Sequence, residues 1–322
     1  MDGIKKAIWL VAATMSAGMA RAETVYVSNE RGDSVTVIDA ATMKAVATWD
    51  VGGRPRGITI SKDGRYIYLC ASADHAVQMI ERATGKLVAE LPSGQDPEQF
   101  VLSRDGKTLF AANEDDAAVT AIDLDTRTVA YQVAVGEEPE GVAQSPDGKW
   151  LVVTSEEDSV VNWIDLSTRA MVHATDTGLR PRHVEFTADG RELWISAEVG
   201  GTVQIADTAS RTVTATIRFA IPGVPDYKLL PCGIRFTPDG KTAVVALGRA
   251  DHLALIDVAT RKVRAYVPVG KRVWHLAIGA DGTRAYAANG LSDSVSVVDL
   301  ASAKLIGTIA TGAGPWGVAI GP

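Results

Sequence analysis

Short apolar runs, each bounded by polar turn residues, give the chain its pattern. In residues 139–177, the run GVAQ ends at Ser145-Pro146-Asp147-Gly148, and WLVVTS follows. A polar loop, Glu156-Glu157-Asp158, leads to VVNWID. A turn at Leu166–Arg169 then leads to MVHAT. Runs this short between turn signals predict strands, and Asp-Gly supplies the positive φ of a tight hairpin turn. Asp165 and Thr168 suit a turn in which a side chain bonds nearby backbone. No ten-residue amphipathic helix interrupts the series. The unit therefore predicts four short antiparallel strands, the size of one propeller blade.

This unit repeats. Asp-Gly recurs at Asp63, Asp105, Asp147, Asp189, Asp239 and Asp281, in steps of 42 with one step of 50. An acidic residue closing the third strand recurs in the same frame at Asp39, Glu81, Asp123, Asp165, Asp207, Asp257 and Asp299. A proline opens the first strand at Pro55, Pro97, Pro139, Pro181, Pro231 and Pro315, with Val273 in the remaining slot. Seven acidic markers against six Asp-Gly pairs imply one split blade. The expectation is an all-β, seven-bladed β-propeller over residues 23–322, with four antiparallel strands per blade. The C-terminal strand joins the N-terminal blade and closes the ring. The longer step is an insertion at Phe219–Leu230, on the face carrying the loops between second and third strands, here called the top.

Composition narrows the function. The chain has 322 residues, 46% hydrophobic, with net charge −7, which argues against nucleic-acid binding. Residues 1–22 carry Lys5 and Lys6, an apolar stretch from Ala7 to Ala17, and Ala20-Arg21-Ala22, the pattern of a cleaved export signal. The mature chain is then expected to be periplasmic and monomeric, without a membrane span. Cys70 and Cys232 fall three blades apart, too far for a disulfide, and are expected as buried, inert thiols.

The candidate chemistry lies on the top face. Following the proline slot come Arg56, Glu98, Glu140, Arg182, Cys232, Trp274 and Trp316, then Gly57, Gln99, Gly141, His183, Gly233, His275 and Gly317. Glycine is expected where the inner strands converge without room for Cβ. Arg54, Arg180, Arg249, Lys271 and Arg272 lie on nearby loops. Two readings of the arginines stand. They bind a small polyanion in bidentate fashion, or they pair with Glu98, Glu114, Glu140, Glu156 and Glu198. Trp274 and Trp316 either stack on a planar ligand or plug the channel. His75, His183, His252 and His275 share the top face as weak metal candidates, although no metal-ligand spacing supports them. No catalytic residue is assigned. Nucleophile-elbow, phosphate-loop and dinucleotide motifs are absent, and no C-x-x-C-H is present for covalent haem.

The repeat Tyr26-Val27-Ser28-Asn29 with Ser34–Asp39 (SVTVID), and Tyr286-Ala287-Ala288-Asn289 with Asp293–Asp299, resembles the YVTN-type bacterial propeller repeat. With the leader, the opening SNERGDSVTVID and the closing Gly312–Pro322, the chain is most similar to propellers associated with PQQ-dependent alcohol catabolism. That resemblance implies a periplasmic accessory role. PQQ is then a candidate ligand, and a quinoprotein dehydrogenase or c-type cytochrome a candidate partner. The binding mouth expected from the convergence of basic, His and Trp positions on the top face comprises Arg54, Arg56, Arg180, Arg182, His183, Arg249, Trp274, His275 and Trp316. Two alternatives stand beside it, a lactonase-like metal-assisted hydrolase with its site at the axis and a ligand-free interaction scaffold. The balance favours a protein that is not an enzyme.

Overall fold

The computed structural model describes residues 23–322. Seven four-stranded antiparallel sheets form the blades of a propeller. The inner strands of blades 1 to 6 begin at Pro55, Pro97, Pro139, Pro181, Pro231 and Val273. Blade 7 pairs the C-terminal strand Pro315–Gly321 with Thr24–Asn29, followed outward by Ser34–Asp39 and Lys44–Asp50. Val27 lies opposite Val318 in that closing register. The expected fold and its closure are thus both observed. The leader reading concerns residues outside those described. No helix among the described residues is long and apolar enough to cross a membrane.

Burial explains the pattern of each repeat. Second and third strands are apolar on both faces because both neighbouring blades cover them, as with the fully buried Val152, Val153, Val161 and Trp163. The apolar cores therefore lie between blades. Trp150 and Trp163 of blade 3 pack on Val184, Phe186 and Leu193 of blade 4. Outer strands, exemplified by Lys44–Asp50, face solvent along most of their length.

Both rims are held by repeated polar turns. At the bottom, Ser61 Oγ donates to Asp63, and Asp63 accepts from the Arg65 N–H at 3.0 Å; Ser145 and Asp147 repeat the device. Gly64 and Gly148 adopt φ of 71° and 76°, as the Asp-Gly reading requires. At the top, Asp74, Asp116 and Asp158 accept backbone N–H groups of Gly53, Gln95 and Glu137 at 2.7–2.9 Å. These loop carboxylates clamp each blade to the connection that precedes it. The insertion lies where expected, between blades 4 and 5, and contains a single 3-10 turn, Asp226–Lys228.

Candidate functional site: an ionic mouth over a filled axis

A left-handed residue precedes the first residue of every inner strand. Arg54, Asp96, Glu138, Arg180, Leu230 and Arg272 have φ between 40° and 56°, and Gly314 has 67°. This conformation is uncommon for non-glycine residues. It turns the chain sharply at the mouth and sets Arg54, Asp96, Arg180 and Arg272 beside the residues that follow the proline slot. Arginine carries no preference for positive φ, so the sequence gives no signal of it.

Every arginine of this turn, and both arginines after the proline slot, engages a carboxylate. Arg54 Nη1 donates to both oxygens of Asp96, at 2.8 and 2.6 Å, and reaches Glu98. Arg56 bridges Glu30 and Glu98. Arg180 pairs with Glu156, Arg182 lies 2.8 Å from Glu140 and 2.9 Å from Glu156, and Arg272 lies 2.7 Å from Glu198. Glu98, Glu140, Glu156, Glu198, Arg182 and Arg272 are all buried. The pairing reading of the arginines is the observed geometry. Arg249 is exposed on a separate loop, outside this chain of ion pairs. Exposed Lys271 likewise lies outside it.

The carboxylates outnumber the arginines, and burial decides where protons sit. Burial pushes Glu98 up to about 8, against the opposing pull of Arg56, and the neighbouring Glu114 adds to the rise. Burial raises Glu140 well above the usual carboxylate range, with Glu156 contributing. Glu156 moves the other way: its interaction with the neighbouring Glu140, together with Arg182 and Arg180, outweighs its burial. Glu140 and Glu156 thus form an acid–carboxylate pair. Asp96, Glu98 and Glu114 offer oxygens within 4.8 Å of one another, a spacing open to a metal ion. Arg54 and Arg56 already supply positive charge there.

Below this ring, the second position after the proline alternates around the axis. Glycine at 57, 141 and 233 precedes Gln99, His183 and His275 in the next blade. A Cβ on Gly141 would come within 2.7 Å of the Arg182 carbonyl, and one on Gly57 within 2.8 Å of the Glu98 carbonyl. Each glycine therefore leaves room for its bulky neighbour. A seven-membered ring cannot alternate perfectly, and Gly317 meets Gly57 at the one irregular junction.

Gln99, His183 and His275 fill the axis. Arg235 donates to His183 Nε2, so His183 carries its proton on Nδ1 and donates it to Gln99 Oε1 at 3.1 Å. Gln99 in turn donates to Glu140 and to the Arg182 carbonyl. Burial, assisted by Arg235, lowers His183 below the usual imidazole range, and burial with His183 lowers His275 much further. Both rings are neutral at pH 7. They sit 5.4 Å apart, and His275 lies 4.2 Å from the buried ring of Trp316. Trp316 packs into the channel as a buried ring, with the Arg56 guanidinium 5.5 Å from it. Half-buried Trp274 is covered by Arg272 at 3.6 Å. Of the four top-face histidines, only His183 and His275 meet. His75 accepts the Asp96 N–H, and His252 Nδ1 bonds the Ala250 carbonyl at 2.6 Å. Cys70 and Cys232 are free and buried, and burial pushes the Cys232 thiol up to about 12.

One sector of the top face, running outward from the mouth carboxylates, is strongly acidic. Segments 93–98, 113–117, 136–140 and 155–158, the top loops of blades 2 and 3, hold eleven carboxyl groups and no lysine or arginine. Asp115, Asp116, Glu137, Glu157 and Asp158 are exposed. The signal was present in the sequence as NEDD, GEEPE and SEED in successive repeats. It emerges only when those loops are placed side by side.

The chain belongs to the YNCE-like beta-propeller family, which it matches over residues 143–320. Shorter matches link residues 68–160 to the cytochrome D1 heme domain and residues 16–92 to the seven-bladed lactonase propeller. No curated protein matches the chain. Among solved structures, hydrazine synthase of Kuenenia stuttgartiensis is similar, with 24% identity and a TM-score of 0.79 over 86% of this chain and 92% of that one. A functionally unknown protein from Desulfotomaculum acetoxidans has 14% identity and a TM-score of 0.80 over 92% and 98%. At these identities the likeness shows the fold.

Proposed function

We propose that this chain is a periplasmic accessory propeller of PQQ-dependent alcohol oxidation that docks a quinoprotein dehydrogenase or a c-type cytochrome through its top face. The pathway rests on the resemblance of its repeats and leader. The mode of action rests on the acidic arc of blades 2 and 3, a rigid patch of like charge suited to a basic partner. The matches to redox-linked propellers agree with a partner of that kind.

The mouth itself does not fit PQQ as a resident ligand. Its arginines are held by buried carboxylates, and the axis beneath is filled by Trp316, His275, His183 and Gln99. A polyanion would have to displace the buried Glu98 or Glu140 from Arg56 or Arg182. Titration of the protein with PQQ, followed by tryptophan fluorescence, is expected to show no binding at high micromolar concentration. Saturable quenching there would overturn this choice.

A metal-assisted hydrolase is the second reading, because Asp96, Glu98 and Glu114 converge and a lactonase propeller matches in part. It requires metal retained through purification and a loss of stability on chelation. Metal-free protein whose melting is unchanged by chelator would exclude it.

A further inference from the structure

An apolar patch borders the acidic arc. Tyr227 in the insertion is 75% exposed, Leu179 before blade 4 is 59% exposed, and Val199 in the top loop of blade 4 is 57% exposed. They come from three segments held together. The Gly200 N–H donates to the Leu179 carbonyl at 3.0 Å, and Val199 and Tyr227 line one shallow cavity of about 220 Å³ with Arg218, Phe219 and Asp226. The patch is tied to the arc through backbone and ionic contacts. The Thr177 N–H donates to the Ser159 carbonyl at 2.9 Å, and Arg180 pairs with Glu156. Glu157 and Asp158 therefore stand in the loop that abuts the patch.

Large apolar side chains exposed on a rigid loop cluster, with carboxylates along one side, have the layout of a protein interface: an apolar centre and a charged rim. We infer that Leu179, Val199 and Tyr227 are the apolar centre of the docking face, and that the occupant is a protein presenting an apolar patch bordered by lysines. The inference rests on the docking function proposed above and assigns its anchor. Charge complementarity selects the partner on the arc side, where the loop of Glu157 and Asp158 adjoins the patch and Asp115 and Glu137 lie further round the arc, on loops without lysine or arginine; Arg218 and Lys228 stand beside Tyr227 on the insertion side. Tyr227 supplies the contact area. Tyrosine is enriched among the residues that dominate binding energy, and it can bury a large ring while its hydroxyl stays wet.

The test uses the full mature chain and a basic c-type cytochrome with a lysine-ringed haem edge, with affinity measured at low and moderate salt. Tyr227→Ala and Leu179→Ser are both exposed changes, and melting curves check that each variant folds. The expected result is salt-sensitive binding by the wild type, weakened about tenfold or more by either variant with the salt slope unchanged. Asp115→Lys with Glu157→Lys is expected to reduce that slope. If the charge variant loses binding and both apolar variants bind like wild type, docking stands and the anchor is wrong. If the wild type binds neither the cytochrome nor a basic quinoprotein dehydrogenase at low salt, the docking function and the anchor fall together.

Discussion

Arg182 Nε lies 2.8 Å from Glu140 Oε2, with both side chains almost wholly buried in the propeller mouth. The two residues follow the proline slot in adjacent blades, so each repeat supplies half of a pair that neither contains. Such a pair fixes the relative position of two inner strands, and losing Arg182 takes a buried cation from the Glu156 carboxylate 2.9 Å away.

Arg182→Ala is therefore expected to destabilise the chain by about 3–5 kcal/mol, since it strips Glu140 and Glu156 of their shared cation. Urea unfolding measures it. A change below about 1 kcal/mol, the range of an exposed pair, would show that the mouth is solvated.

Gly141→Ala should cost about 1–3 kcal/mol, because its Cβ would press on the Arg182 carbonyl and the His183 backbone at 2.7 and 2.8 Å. Neither contact is the end of a flexible side chain. Thermal melting against wild type checks this. An unchanged midpoint would contradict the packing given for the inner ring.

Most of this architecture was legible in the sequence. Asp-Gly at fixed intervals marks turns that need positive φ, and the proline slot locates each inner strand, so blade order and closure followed from counting. The glycines beside Gln99, His183 and His275 were legible too, because only crowding at the axis calls for them. The partners were not. Arg272 reaches Glu198 across 74 residues, and nothing local tells an arginine which neighbouring blade holds its carboxylate. Trp316 had two open readings, and its burial against His275 was not legible from its position after the proline slot. The left-handed turn at Arg54, Arg180 and Arg272 is imposed by the ring, against residue preference.

Stability is expected to depend on pH through Glu98. Its folded pKa is about 8 against an ordinary 4.5, so the folded state holds a proton that the unfolded state releases. This contribution is full below the unfolded value and is lost as pH rises through the folded value. The slope is at most about 1.4 kcal/mol per pH unit for one proton. Glu98→Gln should flatten the decline between pH 5 and 8. The turn aspartates act in the opposite sense. Their hydrogen bonds to turn side-chain hydroxyls and backbone N–H groups, as at Asp63 and Asp147, hold them below 3.8, so their contribution is lost as pH falls into the acid range. A Glu98→Gln melting profile parallel to wild type from pH 5 to 8 would contradict the assignment of that proton.

The partner interaction is expected to weaken with salt, because exposed charges on the arc are screened over about 10 Å at 0.1 M ionic strength. Asp115 and Glu157 are suitable positions to reverse. Asp116 and Asp158 are not, since they hold the Gln95 and Glu137 backbones.

Affinity capture from the periplasm of alcohol-grown cells, with wild-type chain and an Asp115→Lys, Glu157→Lys variant as parallel baits, decides whether the acidic arc docks a redox partner. Wild type is expected to retain a quinoprotein dehydrogenase or a c-type cytochrome at low salt and to release it as salt rises, and the variant to retain neither. Equal retention by both baits, or capture of neither protein by the wild type, would contradict docking through the arc.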